Sequence, residues 1–191
     1  MALRIKTTGE DRYIHSIVQN LADVPGGVTV STAALIPGKP LLEGAYVSRK
    51  NSAGICTIIK TATVHTTAGS DATSYQVEKG SHFKVGDIIT TGAGKTAAAI
   101  ASVDRDSSAL FDTITVATTI GAATKGDTLV QANAANAKAV LPTPYGRLVD
   151  NHEVKAEDNL FAPVCVIGTY EGTLVPQSAD LDAKLPGIVL L

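Results

Sequence analysis

Large aromatic side chains are scarce in this chain of 191 residues, which has no Trp, five Tyr and three Phe. There is also a single Met. The core therefore has to be built from Val, Ile, Leu and Ala, which pack well between closely spaced strands but offer few large anchors for a ligand pocket. The sequence also lacks the exposed Trp and Tyr platforms that are usual in a carbohydrate-binding domain.

An excess of charge of one sign is also missing. The chain carries 16 Lys and Arg against 18 Asp and Glu, for a net charge of −2 at pH 7. Its basic residues are scattered, whereas nucleic-acid binding and membrane tags call for clustered positive charge. No segment approaches the roughly 20 apolar residues of a membrane span. The first 20 residues have charges where a signal peptide needs its apolar stretch. We therefore expect no nucleic-acid partner, no membrane partner, and folding in a cytosol.

Only two cysteines are present, Cys56 and Cys165, each inside an apolar run typical of a strand. Such residues are most often buried free thiols, and two of them do not make a disulfide scaffold. The four histidines are isolated, without the spacing of metal ligands. No set of nucleophile, base and oxyanion donor is recognisable. The sequence predicts no catalytic residue, no metal and no cofactor. A hydrolase using either cysteine stays open, because Cys and His partners meet only in space.

Two short motifs suggest ligand chemistry and fail on spacing. Residues 92–96, Gly-Ala-Gly-Lys-Thr, resemble a phosphate-binding loop, but that loop needs a first Gly where this chain has Ile89. Residues 104–112 resemble a calcium loop, but Ala109 and Thr115 stand where an EF-hand needs Gly and Glu. We expect a glycine-rich hairpin loop at the first motif and a solvated turn between strands at the second.

Past the N-terminal segment, β-branched residues dominate and predict a mainly all-β fold. Strands are expected at Val28–Ser31, 97–103 and Phe111–Val116, each bounded by turn residues. Gly-Asp followed by apolar residues occurs at 86–89 and again at 126–130. This dipeptide suits a tight turn into a strand, so its repetition indicates a small barrel with pseudo-repeated halves.

The breaks in composition suggest a discontinuous architecture. We expect a small β-barrel or sandwich base formed by residues 25–65 and 138–191, with residues 66–137 inserted as a second β module. Loops tolerate such insertions at little entropic cost. A single continuous barrel is the alternative.

Residues 1–24 are expected to form an N-terminal helix or arm. Apolar residues recur there at helical spacing, and Pro25 and two glycines then end the pattern. The stripe consists of Tyr13, Ile14, Ile17, Val18 and Leu21. So short a helix is marginal alone, so its stripe must dock either on the chain's own core or on a partner.

The last four residues of the chain are all aliphatic: Ile188, Val189, Leu190 and Leu191. Leaving such side chains exposed forgoes roughly 1.5–3 kcal/mol of burial each. They are covered either by the chain's own sheet or by a neighbouring subunit. Together with the N-terminal stripe, they favour an oligomer.

Three features of the sequence, taken together, resemble those of a known class of proteins. They are the short N-terminal segment, the run from Val28-Thr29-Val30-Ser31 to Lys39-Pro40-Leu41-Leu42, and a Thr- and Ala-rich β module spanning 83–89 to 124–130. In this combination the chain resembles bacteriophage head decoration and head-fibre proteins over most of its length.

That resemblance implies a structural virion protein on the capsid exterior, made in the host bacterial cytoplasm. It implies a homotrimer without catalytic residues, whose partners are further copies of itself and the phage major capsid protein. Tyr13, Ile14 and Ile17 then become the expected capsid-docking residues, and residues 188–191 the expected subunit interface. The alternative is a non-catalytic ligand-binding module of the carbohydrate type.

Overall fold

The computed structural model describes residues 15–156 and 159–191 of the chain. Strands hold 42% of the residues and helices 4%, in several sheets that are mainly antiparallel. The prediction of a mostly β protein is therefore confirmed, whereas a closed barrel is not shown.

Sixteen strands can be followed through the described residues. They are β1 (Ile17–Asp23), β2 (Val28–Ser31), β3 (Pro40–Leu41), β4 (Tyr46–Ser48), β5 (Ile55–Thr57), β6 (Thr61–Thr63), β7 (Ser74–Glu78), β8 (Ile88–Thr90), β9 (Ala97–Asp104), β10 (Phe111–Val116), β11 (Thr128–Gln131), β12 (Pro144–Leu148), β13 (His152–Glu153), β14 (Leu160–Ala162), β15 (Val164–Tyr170) and β16 (Ile188–Leu190). A 3-10 helix at Gly172–Leu174 and the single-turn helix α1 (Ala179–Asp182) lie between β15 and β16.

A six-stranded sheet takes all its strands from residues 61–131, in the order β6-β11-β8-β9-β10-β7. Val64, just after β6, forms an isolated bridge with Val77 of β7, which brings the two edges of this sheet together at one point. Along β10, buried and partly buried residues alternate, as the period of two in a strand requires. The inward residues include Ile114 and Val116, and they pack around the buried Tyr75 in one apolar core.

Both Gly-Asp sequences form the same turn, one before β8 and one before β11. In each turn the Asp carboxylate, of Asp87 or Asp127, accepts the backbone N–H three residues earlier, at 2.6 and 2.7 Å. The preceding Gly86 and Gly126 have φ of 89° and 93°, a conformation that favours glycine. The Gly86 N–H donates to the Ile100 carbonyl on β9, and the Gly126 N–H donates to the Val64 carbonyl just after β6, both at 2.9 Å. The dipeptide therefore marks two equivalent turns, and the strands that follow them pair antiparallel.

The other sheets are built from both ends of the described chain. A five-stranded sheet has the order β1-β15-β12-β4, with β16 added parallel to β15. A three-stranded sheet, β14-β2-β5, and a two-stranded sheet, β13-β3, complete this part. Its core is a cluster of Val, Leu and Ile that includes Val30, Val47 and Leu148. Independent folding of residues 66–137 as an inserted module stays a prediction.

The predicted N-terminal helix is wrong over the residues that the structure describes. Ile17, Val18 and Leu21 lie in β1, which pairs antiparallel with β15. The register shifts between Ile17 and Gln19 and again between Asn20 and Ala22. These irregularities interrupt strict alternation and leave an apolar spacing that imitates a helix. Tyr13 and Ile14 lie outside the described residues.

Candidate functional site

The sheet that contains β1, β15 and β16 exposes aliphatic side chains to solvent. We call this set the β1 face: Val18, Leu21, Ile167, Val189 and Leu191. Between 47% and 66% of each of these residues is exposed. Single exposed aliphatics are ordinary, but several on one sheet are typical of an interaction surface.

Strand register places part of the β1 face on one side of the sheet. Thr169 of β15 lies opposite Gln19 of β1 and also opposite Val189 of β16. Ile167, two residues before Thr169, lies opposite Ala22. Since side chains two apart on a strand point to the same side, Ile167 and Val189 share this outward side. In the described part of the chain, β1 pairs only with β15, so its other edge offers free backbone groups.

The structure divides the four predicted subunit-interface residues into two pairs. Ile188 and Leu190 are half-buried and pack against the chain's own core beside Tyr170. Val189 and Leu191 are exposed and belong to the β1 face. The chain's own sheet therefore covers one pair and leaves the other open, and the interface itself stays a prediction.

Of the three predicted capsid-docking residues, the structure describes only Ile17. Ile17 is half-buried against a cluster that contains Cys165, Tyr170 and Val175. Tyr13 and Ile14 fall outside the described residues. The docking assignment stays a prediction.

Sequence reasoning missed the fully buried Arg147 on β12. Its guanidinium donates to the carbonyls of Gly44 (2.8 Å) and Pro176 (3.1 Å), to Tyr46 Oη (2.8 Å) and to Asp182 Oδ1 (2.6 Å). It also lies over the Tyr46 ring, 4.1 Å from the centroid. Burial raises the pKa of Tyr46, so this phenol stays protonated. The guanidinium is held by these acceptors, so the arrangement fastens α1 to the sheet. In the sequence, the sign of this buried charge is one Arg in a segment that otherwise has no charged residue.

The Gly-Ala-Gly-Lys-Thr loop, residues 92–96, joins β8 to β9 as a hairpin, which confirms the expected loop. The Thr90 hydroxyl oxygen lies 3.0 Å from the Gly92 carbonyl oxygen and 2.9 Å from that of Thr96, so its single proton can be donated to either across the base of the loop. The backbone N–H of Ala93 donates to Asp180 Oδ2 at 2.6 Å. The chain's own Asp180 carboxylate thus accepts a backbone N–H that a phosphate loop would leave free for its ligand.

The acidic sequence at 104–112 is also a turn, between β9 and β10, as expected. Asp104 Oδ1 accepts the backbone N–H groups of Asp106 and Ser107, both at 3.1 Å. Its other oxygen accepts the Ser107 hydroxyl. Its carboxylate closes the loop on itself. Throughout residues 15–156 and 159–191, no group of three His, Cys, Asp or Glu is placed to hold a metal ion.

Three of the described histidines hydrogen-bond to groups other than a thiol. His15 lies 3.2 Å from Glu43, and His65 lies 2.8 Å from Glu78. His82 lies between the backbone nitrogen of Ile36 and the carbonyl oxygen of Pro40. In the described chain, His152 Nε2 is buried without a hydrogen-bond partner. No Cys–His hydrogen bond occurs among these residues.

Both cysteines should be unreactive in the native protein. Cys56 and Cys165 are free and completely buried, and burial raises the pKa of each thiol. Since the thiolate is the reactive form, a disulfide reagent at neutral pH should label neither in the folded chain and both in urea. Absorbance of the released thiolate measures this. Rapid native labelling of one residue would restore the cysteine hydrolase alternative.

An open cleft of about 250 Å³ separates the six-stranded sheet from the other sheets. Its walls include Leu42, Ile58, Ser81, His82 and Leu174. Leu42 and Leu174 are exposed. The Ser81 hydroxyl is buried and has no partner among the described atoms. The lining mixes apolar residues with charged ones, among them Lys60, Glu78 and Lys79, and includes no Phe, Tyr or Trp.

Comparisons with known proteins give no relative. No protein-family model matches the chain, and neither a curated protein nor a solved structure matches it. Among the described residues, no helix has the length and apolarity needed to cross a membrane.

Proposed function

We propose that this protein is a non-catalytic structural component of a phage virion that self-associates, as a trimer, on the capsid exterior. The observation that carries the proposal is the β1 face. It combines exposed aliphatic side chains with a strand edge that no described residue pairs, on one sheet. Natural proteins normally blunt such an edge with charges or cover it, and here a second subunit covers it.

The remaining features of the described chain support a structural role. The cysteines are buried, the buried Arg147 is engaged by acceptors of the chain itself, and the two ligand-like loops are closed by their own side chains or by Asp180. The location on the capsid, the major capsid protein as partner and the trimer rest on the resemblance of the sequence to head decoration and head-fibre proteins.

The role of the β1 face is tested by native mass. Wild-type protein should elute from a sizing column with light scattering as a trimer, and Leu21→Glu combined with Val189→Glu should elute as a monomer. Burying unpaired carboxylates costs several kcal/mol, so association should weaken by about a hundredfold or more. Far-UV circular dichroism should show an unchanged fold.

Leu110→Glu is the matched control, because Leu110 is also exposed but lies in the turn between β9 and β10. This variant should remain a trimer. A wild-type monomer, or equal loss of association in the control, contradicts the role of the β1 face.

The capsid location is tested separately by electron microscopy. Antibodies against the recombinant chain should label the outside of intact phage heads in lysates of the source culture. Labelling only of free protein would contradict the virion assignment while leaving self-association untouched.

Docking is tested with a deletion of residues 1–14, which should lose head labelling. The deletion stops there because β1 begins at Ile17 and must stay paired with β15. Unchanged labelling would remove the N-terminal segment from the docking surface.

A further inference from the structure

His82 joins the six-stranded sheet to the rest of the molecule through two backbone groups. It lies in the loop between β7 and β8, and the next residue, Phe83, is completely buried in the core of that sheet. His82 Nδ1 lies 3.2 Å from the backbone nitrogen of Ile36, and Nε2 lies 3.1 Å from the carbonyl oxygen of Pro40. We call these two hydrogen bonds the His82 clasp.

Only one protonation state of the ring satisfies the His82 clasp. The Ile36 N–H can only donate, so Nδ1 has to accept it and carry no proton. The Pro40 carbonyl can only accept, so Nε2 has to carry the proton. Neutral imidazole with its proton on Nε2 is therefore required. A second proton on Nδ1 would face the Ile36 N–H and abolish that hydrogen bond.

The charges around His82 oppose a second proton. Burial is the largest cause that lowers the pKa of His82, and the positive charges of Lys39, Lys60 and Lys84 lower it further. The hydrogen bond to the Pro40 carbonyl acts in the opposite direction and raises the pKa, but it does not outweigh them. Lys60 is itself buried and pairs with Asp87, the carboxylate of this loop, at 2.6 Å.

Two lysines reinforce the same contact between loops. Lys39 Nζ donates to the Ser81 carbonyl at 3.2 Å, and Lys84 Nζ donates to the Ala33 carbonyl at 3.4 Å. The loops 32–40 and 79–87 are thus joined at several points, with His82 as the group among them that can gain a charge in mild acid. Because Pro40, Ser81 and His82 also line the cleft, this contact forms one of its walls.

We propose that the His82 clasp is an acid-sensitive latch, in which protonation of His82 releases loop 79–87 from loop 32–40 and opens the cleft beside them. The six-stranded sheet stays attached elsewhere, through the hydrogen bond between Ala93 and Asp180 and the packing of Ile59 against Val130. The change is therefore local.

The direction of the pH dependence follows from the lowered pKa. The unfolded or opened chain binds a proton near the ordinary His value of 6.5, whereas the closed chain resists it. The contribution of the latch is complete above that pH and is lost as pH falls through the lower pKa of the closed state.

The test is hydrogen exchange by NMR on the full chain. Exchange of the Ile36 amide, corrected for its intrinsic pH dependence, should rise about tenfold or more between about pH 7.5 and about pH 4.5. The Val116 amide, which lies in the core of the six-stranded sheet and donates to the Thr73 carbonyl outside both loops, should show no such rise. His82→Gln keeps a donor and an acceptor but does not titrate, so its Ile36 exchange should lose the pH response.

His65→Gln is the matched control, since His65 belongs to the same part of the chain and its ring contacts Glu78 and Phe111, which are not part of the His82 clasp. It should keep the full response at Ile36. A flat Ile36 profile in the wild type, or a response that persists in His82→Gln, overturns the proposal.

The NMR chemical shifts of the His82 ring nitrogens in the wild type test the latch without a variant. They should show the Nε2–H tautomer at neutral pH and a pKa below 6.5 for His82. An Nδ1 proton at neutral pH, or titration at or above that value, overturns the latch.

Discussion

Replacing Arg147 with Met should lower the free energy of unfolding by about 3–5 kcal/mol, the usual cost of removing one partner from a buried ion pair. The guanidinium satisfies two buried carbonyls and also bonds to Tyr46 and Asp182. Met fills much of the volume but leaves the carbonyls of Gly44 and Pro176 without this donor and removes the positive charge beside Asp182. Equilibrium unfolding in urea measures the change.

The matched control is Arg49→Met, because Arg49 is exposed on the surface. Its effect should stay within about 0.5 kcal/mol, as is usual for surface substitutions. If Arg147→Met proves as mild as Arg49→Met, Arg147 does not hold α1 against the sheet in the way the contacts indicate.

Gly146→Ala should destabilise the protein by about 3 kcal/mol, at the upper end of the usual cost of overpacking. A Cβ at this position would collide with the carbonyl oxygen of Cys165 on β15 and come within 2.6 Å of Val164 Cγ1. The carbonyl belongs to the strand pairing of β12 with β15 and cannot rotate away. Thermal unfolding followed by circular dichroism measures the loss.

Gly69→Ala provides the comparison. No atom lies within 4 Å of the position that a Cβ would take at Gly69, and its φ is outside the left-handed region, so a methyl group fits there. This variant should be neutral or more stable by up to about 1 kcal/mol, because Ala restricts the unfolded chain. Equal losses at both positions would mean that the close approach of β12 to β15 is not what excludes a side chain from residue 146.

Local patterns predicted the parts of the fold that depend on neighbours in sequence. Alternation identified β2 and β10 with the observed bounds, because each strand has one side against a core. The Gly-Asp dipeptides marked two equivalent turns for the same reason, since the Asp carboxylate bonds within its own turn.

The N-terminal strand could not be predicted in this way. Irregular register in β1 gives its apolar residues a spacing that resembles a helix, and the partner strand that decides the matter begins at Val164. Tertiary pairing therefore overrides the local pattern.

The buried polar groups were hidden for a similar reason. Arg147 hydrogen-bonds to Asp182, which is 35 residues away in the sequence. His82 contacts the backbone of Ile36, which is 46 residues away. Neither pair has a characteristic spacing. Only the fold brings such groups together, so a single sequence shows them as an isolated Arg and an isolated His.

The pairing of β1 with β15 also dictates an order of events during synthesis. The ribosome releases all six strands of the 61–131 sheet before residue 164, so this sheet has all its strands while β1 still waits for a partner. Domains generally fold as units as the chain emerges, and unpaired apolar strands are prone to aggregate. Until β15 emerges, the nascent chain thus carries Ile17 unburied and the backbone of β1 unpaired, which makes this stretch the natural target for a chaperone that binds extended apolar segments.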